Sequence, residues 1–305
     1  MLQEESKNLG KNTILNNSKP VLTLIPTPIG NLKDITLRSI EALGRAEVVL
    51  CEDTRIAKKL YTLLQGRFAE IINSLRMVSS AISLDSNTKT FISFHTHNQN
   101  DYLASLSPDF FTKEIIYLSD AGSPSICDPG AALVAYAQTH NLPYEVLPGC
   151  CALTTAWAFS GIASQGFVFG GFLAHKQKDR HIQILHLITS NLPVIVYESP
   201  HRLLETLKDL IFLLPDASLF AIKEMTKLHQ QHFLGTPTEV LKALHSTNIQ
   251  GEWVLIIQAN TKASLTLYED DICALPLAPK TKAKLLARLH KTSTKHIYKT
   301  LLENT

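Results

Sequence analysis

Residues 115–139, IIYLSDAGSPSICDPGAALVAYAQT, decide the fold. The run Ile115–Leu118 is continuously apolar and short, the signature of a strand covered on both faces. The helix that follows spans Gly130 to Thr139, with Asp128 as its cap and Pro129 at its first position, where a missing N–H costs nothing. The loop from Ser119 to Gly130, the helix's first residue included, has twelve residues and holds two glycines, two prolines and two aspartates. A βα connection ordinarily needs about 2–6 residues. A long, glycine-bearing turn brings backbone close to a ligand and offers consecutive N–H and C=O groups to an adenosine or a carboxylate.

Working outward, the same unit repeats. Toward the N-terminus VLTLI (21–25) predicts a strand, PTPIGN (26–31) a turn, and Leu37, Ile40 and Leu43 one helical face closed by Gly44; EVVLC (47–51) and RIAKKLYTLL (55–64) predict the next strand and helix. FISF (91–94) and YEVL (144–147) add two strands, and the Ser- and Asn-rich stretch 66–90 reads as a long connection with a poorly defined helix inside it. This βαβα rhythm predicts a parallel sheet with helices on both faces. After Pro148-Gly149 the rhythm changes. A helix (151–160), the strand FVFGGF (167–172), a polar segment and helix, VIVY (194–197) and a helix from His201 lead to SLFAIK (218–223) and HQQHFLG (229–235), which are too close in sequence to be other than an antiparallel pair. Thr236 to Glu239 reads as a capping box before another helix, and EWVLIIQA (252–259) as the last strand. The expected fold class is α/β: a disordered leader (1–20), an N-terminal parallel-sheet domain (21–147), a C-terminal mixed-sheet domain (148–262) and a small basic helical tail (263–305).

Composition narrows the function classes. The 305 residues are 45% hydrophobic and 18% charged with a net charge of +2, as in a globular chain. No stretch approaches the roughly 18 apolar residues of a membrane span, and residues 1–20 lack the apolar core of a secretory signal. Five cysteines (51, 127, 150, 151, 273) without a CxxC pair indicate neither a disulfide framework nor zinc, and suit a reducing cytoplasm. Neither GxGxxG nor GxxxxGK[ST] nor GxSxG occurs. His95 and His97, two apart on what reads as a strand, would face opposite ways, so no metal is expected.

In open parallel sheets ligands gather at the carboxyl ends of strands. Here those ends carry PTPIGN, Glu52-Asp53-Thr54-Arg55, HTHN (95–98) and the loop after Leu118. Each has a structural alternative: Asp53 or Thr54 as a helix cap, Pro26, Pro28 and Gly30 as a turn. Glu198, ending VIVY, has none, while Ser199 and Arg202 beside it suit a helix start.

Together, LIPTPIGNLKDITLRSIEAL, CEDTR, HTHN, SDAGSPSICDPG, PGCCALTTAWAFSGI, YESPHRLLETL, KEMTK and GEWVLII resemble, in order and over about residues 21–302, the ribosomal RNA small subunit methyltransferase family of the tetrapyrrole methylase superfamily. The resemblance implies a donor, S-adenosylmethionine, in a cleft between two α/β domains, a homodimer, and 2′-O-methylation of a cytidine ribose in the decoding region of 16S RNA, free or in the small ribosomal subunit. It places donor contacts at Pro28, Ile29, Gly30 and Asn31, at Ser119, Asp120, Ala121, Gly122 and Ser123, and at Cys151 and Ala152, with Glu198 lining the pocket. The chain departs from the family pattern at Cys150 and Cys151, where a proline and a small polar residue are usual, and at Lys223, where arginine is usual and a lysine would lose bidentate phosphate contact.

A ribose hydroxyl is a weak acid, so a positioned base assists its methylation. Glu52, Asp53, His97 and Glu198 are the candidates. Arg55 and Arg202 are candidate phosphate holders or salt-bridge partners. Residues 280–299, KTKAKLLARLHKTSTKHIYK, contain seven Lys/Arg and no acid. Leu285, Leu286, Leu289, Ile297 and Tyr298 predict two short helices there, and Lys280, Lys282, Lys284, Arg288 and Lys295 a phosphate-gripping surface. Lys176, Lys178 and Arg180 would extend it. Two other readings compete. A superfamily enzyme methylating a tetrapyrrole carbon would carry GxGxGD in place of PTPIGN. A ribosome-assembly RNA binder without catalysis would have no need of the SDAGSPSICDPG loop.

Overall fold

β1 (Leu22–Ile25), β2 (Val48–Cys51) and β4 (Ile115–Leu118) are buried along their whole length, as continuous apolar runs require. With β3 (Thr90–Ser93) and β5 (Tyr144–Val146) they form one all-parallel sheet in the order β3-β2-β4-β1-β5. The computed structural model describes residues 19–78, 82–245, 247–259, 272, 277–290 and 292–303. The expected leader therefore lies, through residue 18, outside the described residues, as do Cys273 and Lys291.

Helices α1 (Leu37–Arg45), α2 (Thr54–Arg67), α3 (Ala69–Val78), α4 (Gln99–Ser105) and α5 (Gly130–Thr139) complete this half. One apolar cluster joins Ile25, Ile40, Leu43, Tyr61 and Leu64 on one side of the sheet. Another joins Leu24, Leu50, Phe94, Tyr117 and Leu133 on the other. The structure revises details. Leu37 is 58% exposed, and the buried face of α1 is Ser39, Ile40, Ala42, Leu43 and Gly44. Gly44 lies within α1, not after it, and packs so closely on Ile82 that a Cβ there would meet Cγ2 at 2.5 Å. Pro129 takes the cap position of α5, and Asp128 Oδ1 accepts from Gly130 N at 2.8 Å. The stretch 66–90 contains α3 and a 3-10 turn, Ser86–Thr88.

The second sheet runs β6 (Val168–Phe172), β7 (Val194–Glu198), β10 (Trp253–Gln258), β8 (Ser218–Lys223), β9 (Gln231–Gly235). β6 and β7 are parallel and the other pairs antiparallel, which makes the sheet mixed. α6 (Ala152–Ser160), α7 (Gln177–Ile188), α8 (Leu203–Leu213) and α9 (Pro237–Leu244) accompany it. α9 has the expected capping box, with Thr236 and Glu239 bonding reciprocally. α8 begins two residues later than expected, because Ser199 and Pro200 belong to the turn that carries Arg202 to the cap position.

By contacts the chain separates into two compact units, Met1–Ala259 and Asn260–Thr305. In the second, α10 (Pro279–Leu289) and α11 (Thr294–Glu303) are the two short helices read from the sequence. No helix among the described residues is long and apolar enough to cross a membrane.

Candidate active site

Parallel register puts the strand ends side by side. Ile25 and Cys51 both pair with Leu118, and Cys51 also with Ser93, so the segments after β1, β2, β3 and β4 leave the sheet as neighbours. The turn after β1 and the loop after β4 are then joined by backbone: Thr27 N donates to Gly122 O at 2.9 Å and Gly122 N to Thr27 O at 3.0 Å. The Ser119 hydroxyl closes the loop on itself through Gly122 O at 2.8 Å. Gly122 sits at φ +86, a left-handed conformation that L side chains rarely adopt, and a Cβ would press on Ile29 Cγ2 at 3.3 Å. Ser123 Oγ donates to Cys150 O at 2.8 Å. Gly149 packs so closely on Pro26 that a Cβ would meet Cγ at 2.4 Å.

The acids at the strand ends interlock. Glu52 Oε1 accepts from Asp120 N at 3.3 Å, while Asp120 Oδ1 accepts from Asp53 N at 3.2 Å. Asp128 Oδ1 accepts from Tyr117 Oη, Ser125 N and Gly130 N at 2.8–3.0 Å, fixing the far end of the loop. Burial pushes the Glu52 carboxyl above its usual range, and the bond from Asp120 N only partly offsets that. Burial raises Asp120 as well, assisted by the charges of Asp53 and Asp128.

The second sheet closes the space over these residues. A cavity of about 430 Å³, within the span typical of small-molecule sites, is walled by Ile29, Glu52, Ser119–Ser123, Cys127 and Asp128 from one side and by Cys151, Ala152, Tyr197, Glu198, Met225, Glu252 and Trp253 from the other. Its ionisable carboxylates are Glu52, Asp120, Asp128, Glu198 and Glu252, and among the described residues its lining holds no Lys, Arg or His. Such a wall favours a cation and opposes phosphate.

The sequence-derived residues distribute unevenly. Ile29, Glu52, Ser119, Asp120, Ala121, Gly122, Ser123, Cys151, Ala152 and Glu198 line the cavity. Pro28 and Gly30 line a neighbouring groove instead. Asn31 caps the 3-10 turn Leu32–Asp34, accepting from Lys33 N at 3.1 Å. Asp53 caps α2 and is clamped by the Arg55 guanidinium, whose bonds hold its carboxyl down to about 2. Arg55, though exposed, is thereby paired. Glu198 is fully buried and spent on structure: it accepts from Ser199 N at 2.9 Å, Thr206 Oγ1 at 2.6 Å and Arg202 Nη2 at 3.3 Å. Arg202, read as a phosphate holder or a salt-bridge partner, is largely buried and is the latter: it pairs with Glu198 at 3.3 Å and donates to Leu173 O at 2.7 Å. Lys223 is also buried, bonded to Asn248 O, which removes it from any phosphate contact. Arg180, expected on the basic surface, is buried against Asp209 at 2.6 Å. His95 and His97 lie in a turn after β3, and their rings approach to 5.9 Å instead of diverging. No metal-binding cluster occurs among the described residues.

Sequence reasoning missed Cys127, Asp128, Tyr197, Met225, Glu252 and Trp253. The last two reach the site through strand pairing that the sequence reading did not assign: β10 pairs antiparallel with β7, which sets Trp253 opposite Glu198. Met225 had no comparable signal, since its place depends on the left-handed backbone of Glu224 and Thr226 at φ 51 and 64.

A profile of the Tetrapyrrole (Corrin/Porphyrin) Methylases matches residues 21–241. The chain belongs to the tetrapyrrole methylase family. Among curated members of similar sequence, the ribosomal RNA small subunit methyltransferase I of Helicobacter pylori strain J99 is 46% identical over 284 residues, covering 91% of this chain and 96% of that protein. The protein of the same name from Campylobacter fetus is 39% identical, covering 92% and 100%. Solved structures of the tetrapyrrole methylase fold include the cobalt precorrin-4 methyltransferase (TM-score 0.51, 13% identity, 77% of this chain and 93% of that one) and diphthine synthase (TM-score 0.53, 14% identity, 79% and 90%).

Proposed function

We propose that this chain transfers a methyl group from S-adenosylmethionine to the ribose 2′-hydroxyl of a cytidine in the decoding region of 16S ribosomal RNA. The observation that carries the reading is the acid-lined, base-free cavity between the two sheets. A donor that is positively charged at sulfur and at its amino group suits Glu52 and Asp120, lining carboxylates with no cationic partner among the described residues, and the Gly122 turn, where a side chain would crowd Ile29, leaves backbone to face it. The names of the relatives, which are ribosomal RNA methyltransferases, support the substrate class.

Ile29, the Ser119–Ser123 loop, Cys151 and Ala152 would hold the donor, with Glu52 and Asp120 facing its charge. When bound, S-adenosylmethionine supplies an electrophilic methyl carbon on a positively charged sulfur and departs as a neutral thioether. The protein's part is alignment and proton removal. Walls from both sheets would align the donor with the ribose hydroxyl, and positioning of this kind contributes about 7–11 kcal/mol to barrier reduction. Of the four candidate bases, Asp53 is held ionised by Arg55, Glu198 is consumed by Arg202, Thr206 and Ser199, and His97 is absent from the lining. Glu52 lines the cavity with a raised pKa, the property of a carboxylate that accepts a proton readily. We therefore assign it the proton of the ribose hydroxyl. Glu52→Gln should lower kcat about 10²–10⁴-fold, and also raise the donor Kd by the loss of one carboxylate charge, a smaller effect than that on kcat.

In this reading residues 21–147 and 148–262 are the two jaws of the site, and 263–305 holds RNA. The enzyme works in the cytoplasm as a homodimer, without a metal. The test is a map of ribose methylation in small-subunit RNA from cells with and without the gene, paired with in vitro transfer to subunits from the deleted strain. One cytidine losing its 2′-O-methyl mark and regaining it in vitro is the expected result. An unchanged map together with an inactive purified protein would defeat the proposal.

A further inference from the structure

A second depression lies against the donor cavity and shares Ser119 and Asp120 with it. It is a groove of about 210 Å³, floored by Pro28 and Gly30 of the turn after β1 and walled by Ile56, Leu60 and Leu63 of α2. Those three residues recur at the i, i+4, i+7 spacing of one helical face. On a face turned to solvent such a stripe is unusual, yet Ile56 is 44% exposed and Leu63 38%. Lys59 stands on the same wall. α2 as a whole carries Arg55, Lys58, Lys59 and Arg67 and no acid, whereas the donor cavity beside it is lined by acids and no base. The two depressions share the carboxylate of Asp120, but the groove is otherwise mostly apolar with one cation, Lys59, on its wall, so the two are suited to two different reactants.

We infer that the groove along α2 receives the acceptor nucleoside of the RNA, its base against Ile56 and Leu63 and its flanking phosphates along Lys59 and the neighbouring cations, so that the ribose reaches the donor cavity past Asp120. This rests on the RNA-methyltransferase reading above. An unstacked base is planar and apolar on its faces, and an aliphatic slot shields those faces without reading sequence. The phosphates on either side carry negative charge that the donor cavity repels and α2 attracts. A second copy of the chain is a poorer occupant. In a two-fold contact α2 would face α2, setting Lys59 and Arg67, which share the face of Ile56 and Leu63, against their own copies.

The experiment uses the full-length protein with small ribosomal subunits from a strain lacking the gene. Ile56→Ser with Leu63→Ser removes the apolar walls without adding charge, and Lys59→Gln removes the cation. All three positions are exposed, so the fold should tolerate the changes. The expected result is an RNA KM raised about 10-fold or more in the double variant and about 3-fold in Lys59→Gln, with the Kd for S-adenosylhomocysteine by calorimetry within 2-fold of wild type. Unchanged RNA KM would overturn the inference. So would a double variant whose sedimentation shows a lost self-association, since the groove would then be a contact between copies. Failure of the wild type to methylate the subunits would instead remove the underlying functional reading, an outcome distinct from either.

Discussion

Single residues set the charge and shape of the site. Glu52 and Asp120 are raised above their ordinary values of 4.5 and 3.8, first by burial. Their folded pKa values lie above the unfolded ones, so protonation favours the fold, and that contribution fades as pH rises through the folded values. Donor binding has the opposite sign: each proton removes a negative charge from the wall that faces a cation. The Kd for S-adenosylmethionine should therefore climb as pH falls, with a midpoint above 4.5. The dependence should flatten in a Glu52→Gln, Asp120→Asn double variant, and calorimetry across the pH series checks this. A steric prediction concerns Gly30. A Cβ there would lie 2.5 Å from Lys227 Cγ and 2.7 Å from the Met225 carbonyl, which belongs to backbone and yields little. Gly30→Ala should cost about 1–3 kcal/mol of stability, read as a lowered Tm, and weaken donor binding by displacing Met225 from the cavity wall.

At the scale of elements, the ends of helices and strands carry the argument. Glu198 ties the end of β7 to the first turn of α8, and its removal leaves Arg202 buried without its anion. Glu198→Ala should destabilise the protein by about 3–5 kcal/mol in denaturant titration, and Glu198→Gln by much less. Thr236→Ala, which breaks the α9 capping box far from chemistry, should cost about 1 kcal/mol and leave kcat unchanged. These elements also show how far the sequence could be read. The strands IIYL and SLFAIK and the helix Gly130–Thr139 have the predicted limits, because apolar period and Gly/Pro punctuation are local. So is the loop Ser119–Ser123, whose residues do line the cavity. What escaped was long-range. Nothing near Arg180 or Lys223 in the chain announces that each is buried against a partner 25–29 residues away, and for Arg202, whose anion Glu198 is only four residues off, the hidden part is the bond to Leu173 O. Likewise the clamp of Arg55 on Asp53, two residues apart, depends on rotamers that no periodicity encodes.

For the whole molecule, charge is partitioned: acids in the donor cavity, cations on α2 and on α10 and α11. A net charge of +2 conceals this division. Neutralising Lys280, Lys284 and Arg288, all exposed on α10, should raise the RNA KM and reduce the salt slope of RNA binding by about 2, while donor affinity stays as in wild type. If the cavity between the sheets takes the sulfonium donor, a crystal structure of the protein with S-adenosylmethionine will show it there. The donor should lie between the Ser119–Ser123 loop and the Tyr197–Glu198 and Trp253 wall, with its charged groups toward Glu52 and Asp120. A donor bound elsewhere, or that cavity closed to it at saturating concentration, would contradict this assignment.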